Sequence, residues 1–416
     1  MSEPELRRAF GVGDAVVVGL GAMVGAGVFA AVGAAAVGGA PALLLGLLVA
    51  GSVAYANATS SAELAAVHPA AGGTYVYGRE RLGPAWGHLA GWGFVVGKTA
   101  SCAAMALTFG AYVAPSIARP LALAAVVALT LLDARGVQRT ATAMRVGLAI
   151  VLLSLLVVVV ASGTAPSADL GRLTEGPAPT PGNVLEAAGL LFFAFAGYAR
   201  IATLGEEVRD PATTIPRAVP LALGAALLTY VLVTVAAVSA VGADVLAAAD
   251  APLAVAVAAG RLPELAGVVR VGAAAAAAGV LLSLLAGVAR TSLAMARDGH
   301  LPRPLARVHP ERRVPHVAQL AVGATVAVVV LVADLRGAIG FSSFSVLAYY
   351  AIANLSALRL ADHELRWPRW LAAFGVVGCV VLALSLPRPS VFGGVALLIV
   401  GRIAYAVTSR RGARED

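Results

Sequence analysis

Residues 21–29 read Gly21-Ala-Met-Val-Gly-Ala-Gly-Val-Phe29 and lie in the middle of the first long apolar run, at residues 12–36. A glycine in a helix interior costs about 1 kcal/mol relative to alanine, so the glycines at 19, 21, 25 and 27 together predict a break in the helix. Inside a membrane, broken helices occur where they line a cavity or hold a ligand, because the freed backbone groups need partners. We therefore expect this stretch to form half of a binding site. The alternative is that Gly21 and Gly25, four residues apart, only allow close packing against a neighbouring helix.

The composition is that of a polytopic membrane protein. Of the 416 residues, 60% are hydrophobic and only 12% are charged. Ten residues precede the first apolar run and no small-residue cleavage site follows it, so we expect the run to be kept as a span. Runs that suit spans of about 20 residues recur along the chain. Twelve spans are predicted, at residues 12–36, 41–65, 86–114, 119–134, 142–162, 183–204, 216–241, 264–296, 316–334, 337–360, 369–386 and 391–409.

The basic residues of the loops predict how the chain lies in the membrane. With the N-terminus in the cytoplasm, twenty loop arginines fall on the cytoplasmic side and six on the outer side, which is the asymmetry of the positive-inside rule. We expect a plasma-membrane protein, embedded in the lipid bilayer, with both termini in the cytoplasm. The net charge of +8 is spread over short loops, so nucleic acid is not an expected partner.

The sequence carries no motif of catalytic or metal chemistry. Cys102 and Cys379 lie inside apolar runs, and the six histidines are scattered without the spacing of metal ligands. We find no His-Glu-x-x-His, no Gly-x-Ser-x-Gly and no phosphate-binding loop. We therefore expect no catalytic residue, no metal and no cofactor. A channel is disfavoured as well, because the sequence has neither a repeated filter nor rings of charge.

A second candidate break lies in the sixth span, at Phe192-Phe-Ala-Phe-Ala-Gly-Tyr198. Because spans one and six are five apart, two units of five spans would have opposite orientations in the membrane, as in the inverted repeats of many secondary transporters. The predicted fold is an all-α membrane protein with about 12 transmembrane helices in a 5+5 inverted repeat, with helices 1 and 6 discontinuous and two peripheral C-terminal helices. The expected parts are residues 1–11 (cytoplasmic segment), 12–162 (first repeat), 163–182 (extracellular loop), 183–360 (second repeat), 361–409 (peripheral helices) and 410–416 (cytoplasmic tail).

An ordered set of motifs extends over about the first 360 residues. Its members are Gly19–Phe29, Gly38–Pro41, Ala62–Leu64, Pro69, Gly72–Tyr77, Gly91–Trp92, Phe192–Tyr198, Glu206–Val208, Asp210–Pro211, Ile215–Pro216, Arg290, Met295–Gly299 and Leu301–Pro302. This set resembles the amino acid, polyamine and organocation (APC) permeases, in particular permeases of basic or neutral amino acids. The resemblance implies a core of ten spans in two inverted repeats and two peripheral spans, which agrees with the count from hydropathy.

The resemblance also implies a substrate site between the two breaks. The carboxylate of an amino acid would meet backbone N–H groups at residues 25–27, and its ammonium would meet carbonyls of both breaks, under Phe195 as an aromatic cover. Glycines suit this site because the backbone must approach the ligand closely. The implied substrate-binding residues are Ala22, Met23, Gly25, Ala26, Gly27, Phe193, Ala194, Phe195 and Gly197.

One departure from the family pattern bears on the substrate. Members that carry cationic amino acids have an acidic residue where this chain has Ala199, followed by Arg200. A cationic side chain would lack a counter-charge there, so we expect neutral amino acids. An acidic substrate fits if Arg200 faces the pocket; the alternative is that Arg200 extends toward the lipid headgroups.

Lys98 is the only lysine of the chain and lies twelve residues into span three, which is about 18 Å along a helix. Proton-coupled relatives place a lysine in span five, but the corresponding residue here is Val151. An ionisable residue at this depth is a functional candidate, and a lysine can release its proton when desolvated. We expect Lys98 to carry the coupling proton; the alternative is a lysine that only ties span three to a broken helix. Sodium is a possible driver, with span-eight hydroxyls such as Ser283, Thr291 and Ser292 as ligands, although hydroxyls of this kind usually bond within their own helix.

Glu206 and Glu207 lie at the cytoplasmic end of span six and are expected to pair with Arg290 as a gate. Taken together, the residues predict a secondary active amino acid transporter that works by alternating access, with proton-coupled uptake of neutral amino acids as the favoured function. The alternative is an amino acid or polyamine exchanger without ion coupling. A membrane channel or a membrane-embedded enzyme fits the sequence less well.

Overall fold

The computed structural model describes residues 11–68, 72–136, 141–198, 201 and 208–415. The first half of this part of the chain contains the helices α1 (Val12–Met23), α2 (Ala26–Ala35), α3 (Ala40–Val67), α4 (Thr74–Leu82), α5 (Pro84–Val113), α6 (Ala118–Ala134) and α7 (Ala141–Gly163). The second half contains α8 (Pro181–Phe195), α9 (Pro211–Val241), α10 (Ala243–Ala248), α11 (Pro252–Ala258), α12 (Ala266–Arg297), α13 (His316–Val332), α14 (Leu335–Ala357), α15 (Arg369–Leu384) and α16 (Arg388–Glu415).

The fold is that of an all-helical polytopic membrane protein, as predicted. Eight helices of the described residues are long and apolar enough to cross a membrane, and the bent pair α1–α2 makes a ninth span. Three shorter apolar helices, α8, α13 and α15, occupy the positions of predicted spans six, nine and eleven. Each of the twelve predicted spans therefore coincides with a helix or with the bent pair.

The first span is interrupted where its glycines predicted a break. α1 ends at Met23 and α2 begins at Ala26, with an angle of 43° between them. The N–H of Val24 still donates to the carbonyl of Leu20, at 2.7 Å, so α1 closes its last turn before the chain bends. The bend itself falls at Gly25, whose φ of −70° and ψ of −144° leave the helical region.

The long helix α5 runs through the bundle and packs against α12 and α14. Glycines on α5 permit this packing, since a Cβ atom at Gly97 would collide with the side chain of Ser345 on α14. At its far end α5 reaches α2, where the hydroxyl of Tyr112 donates to the carbonyl of Phe29 at 2.9 Å. α5 therefore links the second half-helix of span one to the body of the protein.

The connection between α3 and α5 folds back onto the bundle as helix α4, where the sequence analysis predicted no helix. Tyr75 and Tyr77 are 6% and 2% exposed. The hydroxyl of Tyr75 donates to Asp298 and lies 3.3 Å from Nδ1 of His300, both just beyond the end of α12. Arg79 lies 3.8 Å from the same carboxylate. This cluster ties α4 to the end of α12.

Candidate functional site

The start of α2 leaves backbone donors free. In the described part of the chain, the N–H groups of Gly25, Ala26 and Gly27 have no hydrogen-bond partner, as expected for the first residues of a helix. Ala26 is fully buried, whereas Gly27 is partly accessible. The positive end of the helix dipole lies at the same point. Three free donors at a helix N-terminus suit an anion such as a carboxylate.

The first break meets the end of α8 through glycines. α8 ends at Phe195, and residues 196–198 form a turn. A Cβ atom at Gly27 would lie 2.8 Å from the Cα of Ala194, and one at Gly197 would collide with the backbone carbonyl of Ala22. The structure thus brings the predicted residues of span one and span six into contact, and it requires glycine at both of these positions.

A residue that the sequence analysis missed joins the first break to the end of α8. The hydroxyl of Tyr230, on α9, lies 2.6 Å from the carbonyl oxygen of Met23 and 2.9 Å from that of Ala194. Its ring is 1% exposed and meets the ring of Phe195 edge-on, with centroids 5.0 Å apart. The signal in the sequence was a lone tyrosine in the middle of an apolar span, away from the membrane interface where tyrosines usually lie.

A second tyrosine holds the turn after α8. The hydroxyl of Tyr350, on α14, donates to the carbonyl of Ala196 at 3.2 Å. Its ring contacts those of Phe192 and Tyr198, with centroids 6.0 Å and 4.8 Å apart. Two tyrosines from different helices therefore position carbonyls of the second break.

The wall beside the first break is apolar. A Cβ atom at Gly25 would lie 2.7 Å from Cγ2 of Val280, on α12. Phe195 is completely buried and Phe193 is partly accessible. Val280 was not among the predicted residues, because nothing in an apolar run shows which valine faces a break.

Lys98 lies in the middle of α5 and is partly buried. Cys102, one turn further along the helix, is completely buried. Among the residues that the structure describes, no acceptor lies within hydrogen-bonding distance of the Lys98 ammonium and no carboxylate forms an ion pair with it. The lysine is therefore held in an apolar span without a counter-charge from the described residues.

The predicted gate is only partly visible. Glu206 and Glu207 lie outside the described residues, as do Ala199 and Arg200. Arg290 is exposed on α12, where its charge acts on Asp133 of α6.

Two of the three span-eight hydroxyls are bonded within their own helix: Ser283 donates to Gly279 and Thr291 to Gly287, both at 3.1 Å. This is the ordinary behaviour of helical hydroxyls, so these two residues add little support for a sodium site there.

A cavity of about 220 Å³ opens where α2 ends. Arg336 of α14 lines it and forms an ion pair with Glu186 of α8, at 2.5 Å. Asn183, also in the lining, donates to the carbonyl of Gly38 at 3.4 Å. Since α2 has ten residues, this cavity lies about 15 Å from the first break along the helix axis.

The chain matches known transporters over most of its length. A family model described as amino acid permease matches residues 10–405. An uncharacterized transporter of Mycobacterium tuberculosis is 58% identical over 99% of this chain and 94% of its own length. A branched-chain amino acid permease of Bacillus subtilis is 25% identical over 98% of this chain and 94% of its own length. Cationic amino acid transporter 4 of Mus musculus is 29% identical over 77% of this chain and 54% of its own length. All three are named as transporters or permeases.

Proposed function

Because this chain belongs to the amino acid permease family, we propose that it is a secondary active transporter that takes up neutral amino acids together with protons. The substrate lies between the broken first and sixth spans, and the two five-span repeats alternate its access to the two sides of the plasma membrane. Both termini lie in the cytoplasm. The observation that carries the proposal is the contact between the two breaks, with free N–H groups on one and carbonyls on both.

The poles of an amino acid match these groups. A carboxylate bound at Gly25, Ala26 and Gly27 would receive charge-assisted hydrogen bonds from three N–H groups at the positive end of α2. An ammonium has three N–H donors and would find the carbonyl oxygens of Met23 and Ala194 side by side, since both lie within 3 Å of the Tyr230 hydroxyl. Each carbonyl oxygen has two lone pairs, so it can accept from the substrate while Tyr230 stays in place.

The walls favour a neutral side chain. Val280, Phe193 and Phe195 offer apolar surface next to the two poles, and burying a charged side chain without a partner is costly. The branched-chain permease among the relatives supports this choice of substrate. The cationic amino acid transporter argues for the alternative, and a panel of substrates separates the two.

We assign the coupling proton to Lys98. An ammonium in an apolar span is costly unless it is paired, so the lysine gives up its proton when the cavity around it is dry and takes one when water reaches it. The absence of a counter-charge among the described neighbours of Lys98 supports this assignment. Alternating access then moves the proton across the membrane together with the substrate.

The test is transport by purified protein in liposomes. We expect counterflow of neutral amino acids, and accumulation against a gradient when the outside is acidic. Lys98→Ala and Lys98→Arg should both lose accumulation driven by the proton gradient, whereas Arg402→Gln, which removes a charge from the exposed face of α16, should not. Undiminished proton-driven accumulation in both Lys98 variants would refute the role of Lys98. Counterflow without accumulation under a pH gradient in the wild type would favour an uncoupled amino acid or polyamine exchanger.

A further inference from the structure

A second group of buried polar side chains lies between α6 and α13, two helices that carry none of the residues assigned to the substrate. Its members are Thr130 and Asp133 of α6 and Gln319 of α13, which are 6%, 7% and 4% exposed. Asp133 is the penultimate residue of α6, and burying a carboxylate there without a paired cation is costly.

The geometry of the group is fixed by two contacts across the helix pair. The side-chain Nε2 of Gln319 donates to the backbone carbonyl of Asp133 at 3.1 Å. Because only the NH2 group can donate, this bond also fixes the orientation of the amide and turns Oε1 away from that carbonyl. One turn further along α13, a Cβ atom at Gly323 would lie 2.5 Å from both Oγ1 and Cγ2 of Thr130. Glycine at 323 therefore makes room for the whole threonine side chain.

Three oxygen atoms of this group have no hydrogen-bond partner in the described part of the protein. They are Oγ1 of Thr130, Oδ2 of Asp133 and Oε1 of Gln319. Thr130 shares this with Ser162, Thr234 and Ser343, whereas the hydroxyls of Thr99, Thr108 and Ser154 donate to carbonyls one turn earlier in their own helices, at 2.7–2.8 Å. The Thr130 side chain packs against Gly323 of α13.

The carboxylate of Asp133 has no positively charged partner among the described residues. In the described ranges, no ion pair joins Asp133 to a basic side chain. Arg290 of α12 acts on Asp133 from a greater distance and is exposed, Arg135 follows on α6 itself, and His316 of α13 faces the ring of His309 at 5.5 Å. Thr130 can supply a single donor hydrogen to the other two oxygens. A buried carboxylate in this setting needs a cation or a proton.

We propose that Thr130, Asp133 and Gln319 bind one monovalent cation, which is either Na⁺ or a proton carried by Asp133. A carboxylate, an amide oxygen and a hydroxyl are the hard oxygen ligands that suit Na⁺, and the same three oxygens would share the hydrogen of a protonated carboxyl group. The proposal does not depend on the amino acid site, so it can hold or fail whatever the transported substrate is.

Binding is tested on the purified full-length protein without any transport assay. If the cation is Na⁺, saturating NaCl should raise the melting temperature of the wild type by a few degrees over choline chloride, and Asp133→Asn should abolish the rise. If the cation is a proton, NaCl should have no effect, and infrared spectra near neutral pH should contain the C=O stretch of a protonated carboxyl group that is missing in Asp133→Asn.

Matched control variants separate a specific loss of cation binding from a general loss of folding. Asp250→Asn changes an exposed carboxylate and should keep the wild-type response to sodium and the wild-type infrared band. Thr130→Val should weaken the response to sodium, or shift the carboxyl band, whereas Thr325→Val, which removes a hydroxyl bonded to Ala321 within α13, should not. Should Asp133→Asn fail to fold, Thr130→Val and Gln319→Leu give the same two readouts. An ionised Asp133 in a protein that does not respond to sodium would overturn the proposal.

Discussion

The hydroxyl of Tyr230 lies 2.6 Å from the backbone oxygen of Met23, the last residue of α1. The same hydroxyl is 2.9 Å from the oxygen of Ala194, one residue before α8 ends. One side chain from α9 thus joins the ends of α1 and α8. A hydroxyl has one hydrogen, so it donates to only one of the two carbonyls at a time and leaves the other able to accept from a substrate ammonium.

Replacing Tyr230 with phenylalanine should destabilise the substrate-free protein. The variant keeps the ring contact with Phe195 but removes the one donor hydrogen that the two buried carbonyls share, which costs about 1–3 kcal/mol. Melting temperatures of purified protein measure the effect. Tyr55→Phe is the control, because Tyr55 is 38% exposed on α3. If the two variants have the same melting temperature, the hydrogen bonds of Tyr230 contribute nothing to stability.

Replacing Gly27 with alanine should impair transport far more than replacing Gly21 with alanine. A Cβ atom at Gly27 would lie 2.8 Å from the backbone of Ala194, whereas one at Gly21 would have no neighbour within 4 Å. The first substitution pushes α2 away from α8 and spoils the geometry on which binding depends. We expect at least a tenfold loss of counterflow for Gly27→Ala at equal amounts of folded protein, since 1.4 kcal/mol already corresponds to tenfold in affinity. Equal activity of the two variants would contradict this packing.

The cluster beside α4 should make stability depend on pH. Burial lowers the pKa of His300 below its ordinary value of 6.5, although the Asp298 carboxylate opposes the shift. As the pH falls below about 6.5, the unfolded chain takes up a proton that the folded protein resists, so the protein loses stability with acidification. Above that pH His300 is neutral in both the folded and the unfolded chain, so it no longer lowers the stability of the folded protein.

The measurement is the melting temperature between pH 8 and pH 5 in the wild type and in His300→Asn. In His300→Asn the melting temperature should fall less on acidification than in the wild type. In His363→Asn, which changes an exposed histidine, it should fall as much as in the wild type. His88 contacts the His300 ring at 4.8 Å and is left intact in both variants. Superimposable pH profiles of wild type and His300→Asn would show that His300 is not the titrating group.

Glu63 should stabilise the connection that leads into α15. One of its carboxylate oxygens accepts from the N–H groups of Arg366 and Trp367, both at 2.8 Å, and the residue is 3% exposed. Glu63→Ala leaves two donors without a partner and should cost about 1–3 kcal/mol for each donor that stays unpaired. Glu63→Gln keeps an acceptor oxygen and should retain most of the stability. Equal melting temperatures of the two variants would contradict this account.

The local features of the chain could be predicted because short stretches encode them. The position of the first break followed from the glycines at 25 and 27. Hydropathy gave the ends of several spans to within a few residues, as for α13, predicted at 316–334 and found at His316–Val332, but span six was predicted to end at residue 204 and α8 ends at Phe195. The short helices α4, α10 and α11 were missed. They lie between spans, where the chain has no long apolar run from which a helix could be predicted.

The contacts between helices could not be predicted from the sequence. Tyr230 is separated from Met23 by 207 residues, and hydropathy does not reveal which face of α9 meets the breaks. Gln319 and Asp133 are likewise 186 residues apart. Both contacts depend on which faces of distant helices pack together, and in an apolar bundle many faces look alike.

The most direct test of the central claim is competition for counterflow of labelled leucine in liposomes. The site proposed at Gly25–Gly27 and at the carbonyls of Met23 and Ala194 recognises both poles of an amino acid. Unlabelled leucine should therefore compete at least tenfold better than leucinol, which lacks the carboxylate, or 4-methylpentanoate, which lacks the ammonium. Competition by either analogue that equals competition by leucine would contradict a site built from these two broken helices.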